Sequence, residues 1–112
     1  MTLTDKQLAE FGAEFLPTNK YGVMSGFQVT EENLLGTGEH VAAAMISAAY
    51  FLHLAETELK KLGLRLDVTN YINGDYRAQI FRGNEELITA HFDENKFRAF
   101  WSAVYVAVKG GE

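Results

Sequence analysis

Between Glu39 and Leu62 one apolar seam runs without a break through Val41, Met45, Ala48, Leu52, Ala55, Leu59 and Leu62, at steps alternating between four and three residues. That spacing puts them on one face of a helix, so the stretch predicts a central helix over 39–62. Its halves differ. From Val41 to Leu54 nearly every side is apolar, with Ala42, Ala43, Ala44, Ile46, Ala49, Tyr50 and Phe51 added to the seam. From Ala55 onward Glu56, Glu58, Lys60 and Lys61 point to water, and Gly63 supplies the stop. The small residues of the front half admit a second backbone at close range, either another helix or the same helix of a partner chain.

The preceding chain reads as helix, loop and strand. Thr4 and Gln7 have the spacing of a capping box, Leu8, Phe11, Phe15 and Leu16 line one face, and Pro17 ends the run, which predicts a helix over 5–15. Residues 22–30 alternate, with Val23, Ser25, Phe27 and Val29 on one side, and predict a strand. Residues 31–38 are expected to form a turn or loop. Gly36-Thr37-Gly38 has a passing likeness to a phosphate-binding loop, but it lacks the lysine and the preceding hydrophobic strand.

After the central helix comes an antiparallel meander over 64–92. A two-residue loop at Asn73-Gly74 would set Leu64, Leu66 and Val68 against Arg77 and Gln79, which wastes the core. A three-residue loop, Ile72-Asn73-Gly74 with Gly74 left-handed, pairs Val68 with Ala78 and Leu66 with Ile80 instead. This second register is the expected one. In the third strand the most apolar alternate set, Ile88, Ala90 and Phe92, is assigned to the inner face. The outer face then shows Arg65, Asp67, Thr69, Tyr71, Arg77, Gln79, Phe81, Leu87, Thr89 and His91. Asp93 is expected to cap a last helix over 94–108, whose seam is Phe97, Phe100, Trp101, Val104 and Val108; the strand propensity of residues 104–108 is the competing signal.

Length and charge narrow the function classes. A chain of 112 residues fits one domain, 1–112. It has no cysteine, which removes disulfides, thiolate metal sites and a cysteine nucleophile. Residues 1–6 lack the character of a signal peptide, and the run from Val41 to Leu54 is too short to cross a bilayer, so a cytoplasmic location is expected. A formal charge of -5 argues against diffuse attraction to nucleic acid.

Few residues suggest chemistry. His53 and Glu56 are three apart on the central helix and could supply two metal ligands, but the repeated motif of a di-metal site is missing; a histidine hydrogen-bonded at the core edge accounts for them. Ser47 lacks the surroundings of a nucleophile elbow. His91 with Asp67 or Asp75 can be drawn as an acid-base pair, although exposed strand polarity explains them more simply. The outer-face residues Arg65, Tyr71, Arg77, Phe81 and His91 are the candidate partner-binding set. They contain the ingredients of a base-stacking platform, yet the acidic chain has no RNP signature, and cover by the first helix or a protein partner fits better.

The order of helix, three antiparallel strands and helix over 39–108 is similar in layout to the double-stranded RNA-binding domain, but the basic cluster opening that family's last helix is replaced by Glu94-Asn95-Lys96-Phe97. The stretch from Leu62-Gly63-Leu64 through Asn73-Gly74-Asp75-Tyr76-Arg77-Ala78, with its third strand and apolar last helix, resembles small bacteriophage proteins of the helix-sheet-helix sandwich type. That resemblance implies an accessory phage or prophage protein and transfers no catalytic residue. The expectation is an α+β fold: helix-strand-helix, a three-stranded antiparallel meander and a C-terminal helix, with helices packed on the sheet. The expected function is non-enzymatic protein binding, for example inhibition of a host defence protein, without cofactor or metal. The alternatives are a self-associating or small-ligand module, with a homodimer through the central helix, and an enzyme.

Overall fold

The computed structural model describes residues 3–17 and 27–110. The order is α1 (Asp5–Phe15), α2 (Glu31–Leu35), α3 (Val41–Lys61), β1 (Leu64–Asn70), β2 (Tyr76–Arg82), β3 (Glu86–Asp93) and α4 (Lys96–Lys109). The strands form one antiparallel sheet in the order β1-β2-β3. α3 packs against β1, and α4 against β2 and β3, so both long helices cover the inner sheet face. α1 and α2 complete the helical layer, α1 touching α2 and α4.

Local signals set most boundaries. The capping box of α1 forms as its spacing predicts: the Gln7 N–H donates to Thr4 Oγ1 at 3.1 Å, and the Thr4 N–H donates to Gln7 Oε1 at 2.8 Å. Residues 22–26 of the expected strand lie outside the described residues. Residues 27–30 form no strand beyond an isolated bridge at Phe27. The Gln28 carbonyl is instead taken by Asn33 Nδ2 at 2.9 Å and the Thr30 N–H at 3.1 Å, which commits this backbone to the start of α2. The expected loop at 31–38 therefore contains a short helix, capped by Thr30 and closed by Gly36 at φ 69°. A side chain at Gly36 would also press on the Phe97 ring and Met45, both 3.3 Å from an added Cβ.

The hairpin follows the expected register, with Val68 opposite Ala78, Leu66 opposite Ile80 and Asn70 opposite Tyr76. Gly74 is left-handed at φ 95°, and the Tyr71 N–H donates to the Asp75 carbonyl at 2.8 Å across the loop. The third strand departs from expectation. Ile80 faces Thr89 while Phe81 faces Leu87, so Ile88 is an extra residue in a β-bulge. One inserted residue reverses the alternation beyond it. Thr89 and His91 therefore join the inner face, opposite Ile80 and Ala78, while Ala90 and Phe92 turn outward, opposite Gln79 and Arg77. The inner assignment of Ala90 and Phe92 is corrected by that parity change.

α3 is rotated from its predicted seam. Its buried residues are Ala44, Ser47, Ala48, Phe51, Ala55 and Leu59, whereas Val41, Met45 and Ile46 stay 49%, 48% and 63% exposed. In a helix half that is apolar all round, period alone cannot choose the inward face. Packing chose the small residues Ala44, Ser47 and Ala48, which let neighbouring elements come close. Residues 104–108 are helical, and α4 runs on to Lys109 before Gly110 closes it at φ 86°.

The N-cap of α4 is Asn95 rather than Asp93. Asn95 Oδ1 accepts from the N–H groups of Phe97 and Arg98 at 2.8 and 3.0 Å, and its Nδ2 donates to the Leu35 carbonyl at 3.0 Å. Asp93 stands one step back, accepting from the Asn95 N–H at 2.8 Å and from Arg98 Nη1 at 3.1 Å. Arg98 in turn donates through Nε and Nη2 to the two oxygens of Asp5, at 3.0 and 3.2 Å. The Asp5 hydrogen bond, with Asp93 beside it, pushes the Arg98 pKa above its already high usual value. One cap residue and one arginine thus tie α1, α2, β3 and α4 together. Asn95→Ala removes the cap and orphans the Leu35 carbonyl. It is expected to cost about 1–2 kcal/mol in urea unfolding, with the m-value unchanged.

Candidate functional site

The sheet's outer face is its open face, since both long helices lie on the other side. Its side chains fall into rows across the strands. Arg65, Phe81 and Leu87 form one row; Asp67, Gln79 and Ala90 the next; Thr69, Arg77 and Phe92 the third, with Tyr71 beyond it at the hairpin. The middle row is small or polar, and the outer rows carry the rings and guanidiniums.

In the first row Arg65 lies over Phe81, its Cζ 4.4 Å from the ring centroid. Its charge is already matched, since Nη1 is 2.6 Å from Asp67 Oδ2 and Nη2 donates to the Asn84 carbonyl at 3.2 Å. In the third row Arg77 Cζ is 5.5 Å from the Tyr71 ring, and Tyr71 stacks on Phe92 at 6.0 Å with the planes 29° apart. Arg77 has no carboxylate partner among the described residues. Its one polar contact is Nη2 to Thr69 Oγ1 at 3.5 Å, and its buried Nε has no acceptor. Phe92 and Leu87 keep 63% and 50% of their surface exposed.

Of the candidate set, Arg65, Tyr71, Arg77 and Phe81 share this face, and His91 does not. The bulge places His91 inside, opposite Ala78. Asp67 lies outside, opposite Gln79, so the two are on opposite faces and cannot form the acid-base pair drawn from sequence. Asp75 is held at the hairpin by Asn73 Nδ2 at 3.3 Å. Phe92 belongs to the site and was assigned to the core. The adjacent apolar pair Leu87-Ile88, which breaks alternation, was the available signal for a bulge.

The remaining candidates do not converge. His53 is exposed and its ring makes no hydrogen bond among the described residues, contrary to the expected core-edge histidine. No group of three His, Asp or Glu residues able to hold a metal ion occurs among the described residues. Glu56 lines a groove of about 290 Å³ with Lys60, Leu64, Arg65 and Asn84, and His53 is not part of it. The Ser47 hydroxyl is used inside its helix, donating to the Ala43 carbonyl at 3.1 Å. The Glu32 carboxylate packs against Gly38, which sets a negative charge beside the glycine pair and goes against the phosphate-loop likeness. No described helix is long and apolar enough to cross a membrane.

His91 has a measurable consequence. Burial pushes its pKa below the usual 6.5, because the folded environment disfavours the charged ring. Below that value the unfolded chain takes up the proton first, so stability is complete above it and falls as the pH drops through it. His91→Gln is expected to flatten the fall in melting temperature between about pH 7 and pH 5, with little change near pH 8.

Comparison of the chain with protein-family models, curated proteins and solved structures finds no match.

Proposed function

We propose that this is a non-enzymatic binding protein that docks a protein partner on the outer sheet face. The observation that carries the reading is the pair of guanidinium-ring contacts on an open face, where Arg77 has no carboxylate partner among the described residues and Phe92 is largely exposed. Aromatic and arginine side chains are the residue types that dominate protein interfaces, because each combines a large apolar contact with oriented donors. An origin in a phage or prophage, with a host protein as target, is supported by the similarity of layout noted in the sequence. In pull-downs from bacterial lysate, the double variant Arg77→Glu, Phe81→Ala should lose partners that the unaltered chain retains. Equal recovery of every partner by both proteins would sink the surface assignment.

A second reading, self-association, is favoured by a separate observation. The front half of α3 leaves Val41, Met45 and Ile46 about half exposed beside the small residues Ala42 and Ala49. Apolar area at ~25 cal/mol per Å² rewards a symmetric partner there. Light scattering should then show a dimer that Ile46→Asp converts to a folded monomer. Ala48→Trp should unfold the chain, because Ala48 is fully buried. A monomeric unaltered protein at high concentration removes this reading.

A further inference from the structure

We infer that the partner presents a carboxylate side chain, flanked by an apolar residue, with the carboxylate meeting Arg77 and the apolar residue seated on Phe92. This inference rests on the outer face being the docking surface. The two arginines of that face are not equivalent. Arg65 is neutralised within the fold by Asp67 at 2.6 Å, while Arg77 keeps a full charge with one weak contact, 3.5 Å from Thr69 Oγ1.

The setting of Arg77 makes it receptive. A guanidinium carries five N–H donors in a planar fork that matches a carboxylate two bonds at a time. Here Nε is buried without an acceptor, and the Tyr71 ring lies 5.5 Å from the guanidinium carbon. One guanidinium donor kept from water without an acceptor is a cost, and an anion beside the guanidinium offsets it by its charge. Asp75, two residues before Arg77 in the chain, accepts from Asn73 instead.

Charge also selects the source of that anion. A nucleic acid strand needs a track of cations, and among the described residues this face offers one guanidinium without a carboxylate partner, in a chain of formal charge -5. A single carboxylate on a protein needs one such cation, where a polyanion needs several. The exposed Phe92 ring, stacked on Tyr71, supplies the apolar contact next to the charge.

The test uses the immobilised full chain and a yeast-displayed library of random twelve-residue peptides. Recovered peptides should be enriched in Asp or Glu next to an aromatic or aliphatic residue, and the affinity of a synthetic representative should fall about tenfold or more with Arg77→Gln. Selection on Arg77→Glu, confirmed as folded by circular dichroism, should enrich Lys or Arg at the same place. Peptides lost with Phe92→Ala but indifferent to Arg77→Gln would overturn the carboxylate and leave the docking face standing. Peptides indifferent to Arg77, Phe81 and Phe92 alike would overturn the docking face itself. Tight binding of a twelve-nucleotide oligouridine that Arg77→Gln abolishes would overturn the protein source of the anion.

Discussion

The rest of the fold depends on burying one side chain, Trp101. It is fully buried, with the edge-on rings of Phe100 at 5.0 Å, Phe11 at 6.1 Å and Phe15 at 6.4 Å around it. Its Nε1–H finds no acceptor among the described residues. Removing an indole from water contributes about 4–6 kcal/mol at ~25 cal/mol per Å² over its area, against roughly 1–3 kcal/mol for one orphan donor. Burial wins, and surrounding ring contacts recover part of the loss. Because α4 carries this residue and touches β2, β3 and all three other helices, it is the centre of the structure, a place the sequence pattern had suggested for α3.

A three-stranded sheet has two faces, and this chain spends its two long helices on one of them. Anchoring α4 to α1 through Arg98 and Asp5, and to α2 through Asn95 and the Leu35 carbonyl, keeps the whole helical layer on that side. The opposite face must then be stable in contact with water. It achieves this by laying each guanidinium on a ring, Arg65 on Phe81 and Arg77 near Tyr71, so that apolar surface is partly covered by charged side chains. The same arrangement leaves Arg77 without a carboxylate partner among the described residues, on the face that the sheet's one-sided cover leaves open.

The bulge at Ile88 links fold and site. Without it, Ala90 and Phe92 would fill the core, and Thr89 and His91 would face water. With it, β3 gives the inner face a half-buried threonine and histidine and gives the surface a large ring. That exchange raises the aromatic content of the outer face at some expense to the inner one. Bulges recur on edge strands, where a local twist also discourages unwanted pairing.

Sequence alone determined what depends on near neighbours: the capping box of α1, the stop at Gly63, the left-handed Gly74 and the register that sets Val68 against Ala78. Each follows from residues close together in the chain or joined by a short turn, where only one arrangement avoids wasting a core face. The outer-face position of Arg65, Tyr71, Arg77 and Phe81 was legible for that reason, because β1 and β2 share one tight loop. Tertiary structure decided the rest. Which side of an all-apolar helix turns inward was settled by which residues let neighbours approach. The parity of β3 was settled by one extra residue, whose placement depends on the strand beside it and the helix beneath it. His91 left the outer face and Phe92 entered it because a period of two holds only until a residue is inserted, and the insertion is defined across strands rather than along one.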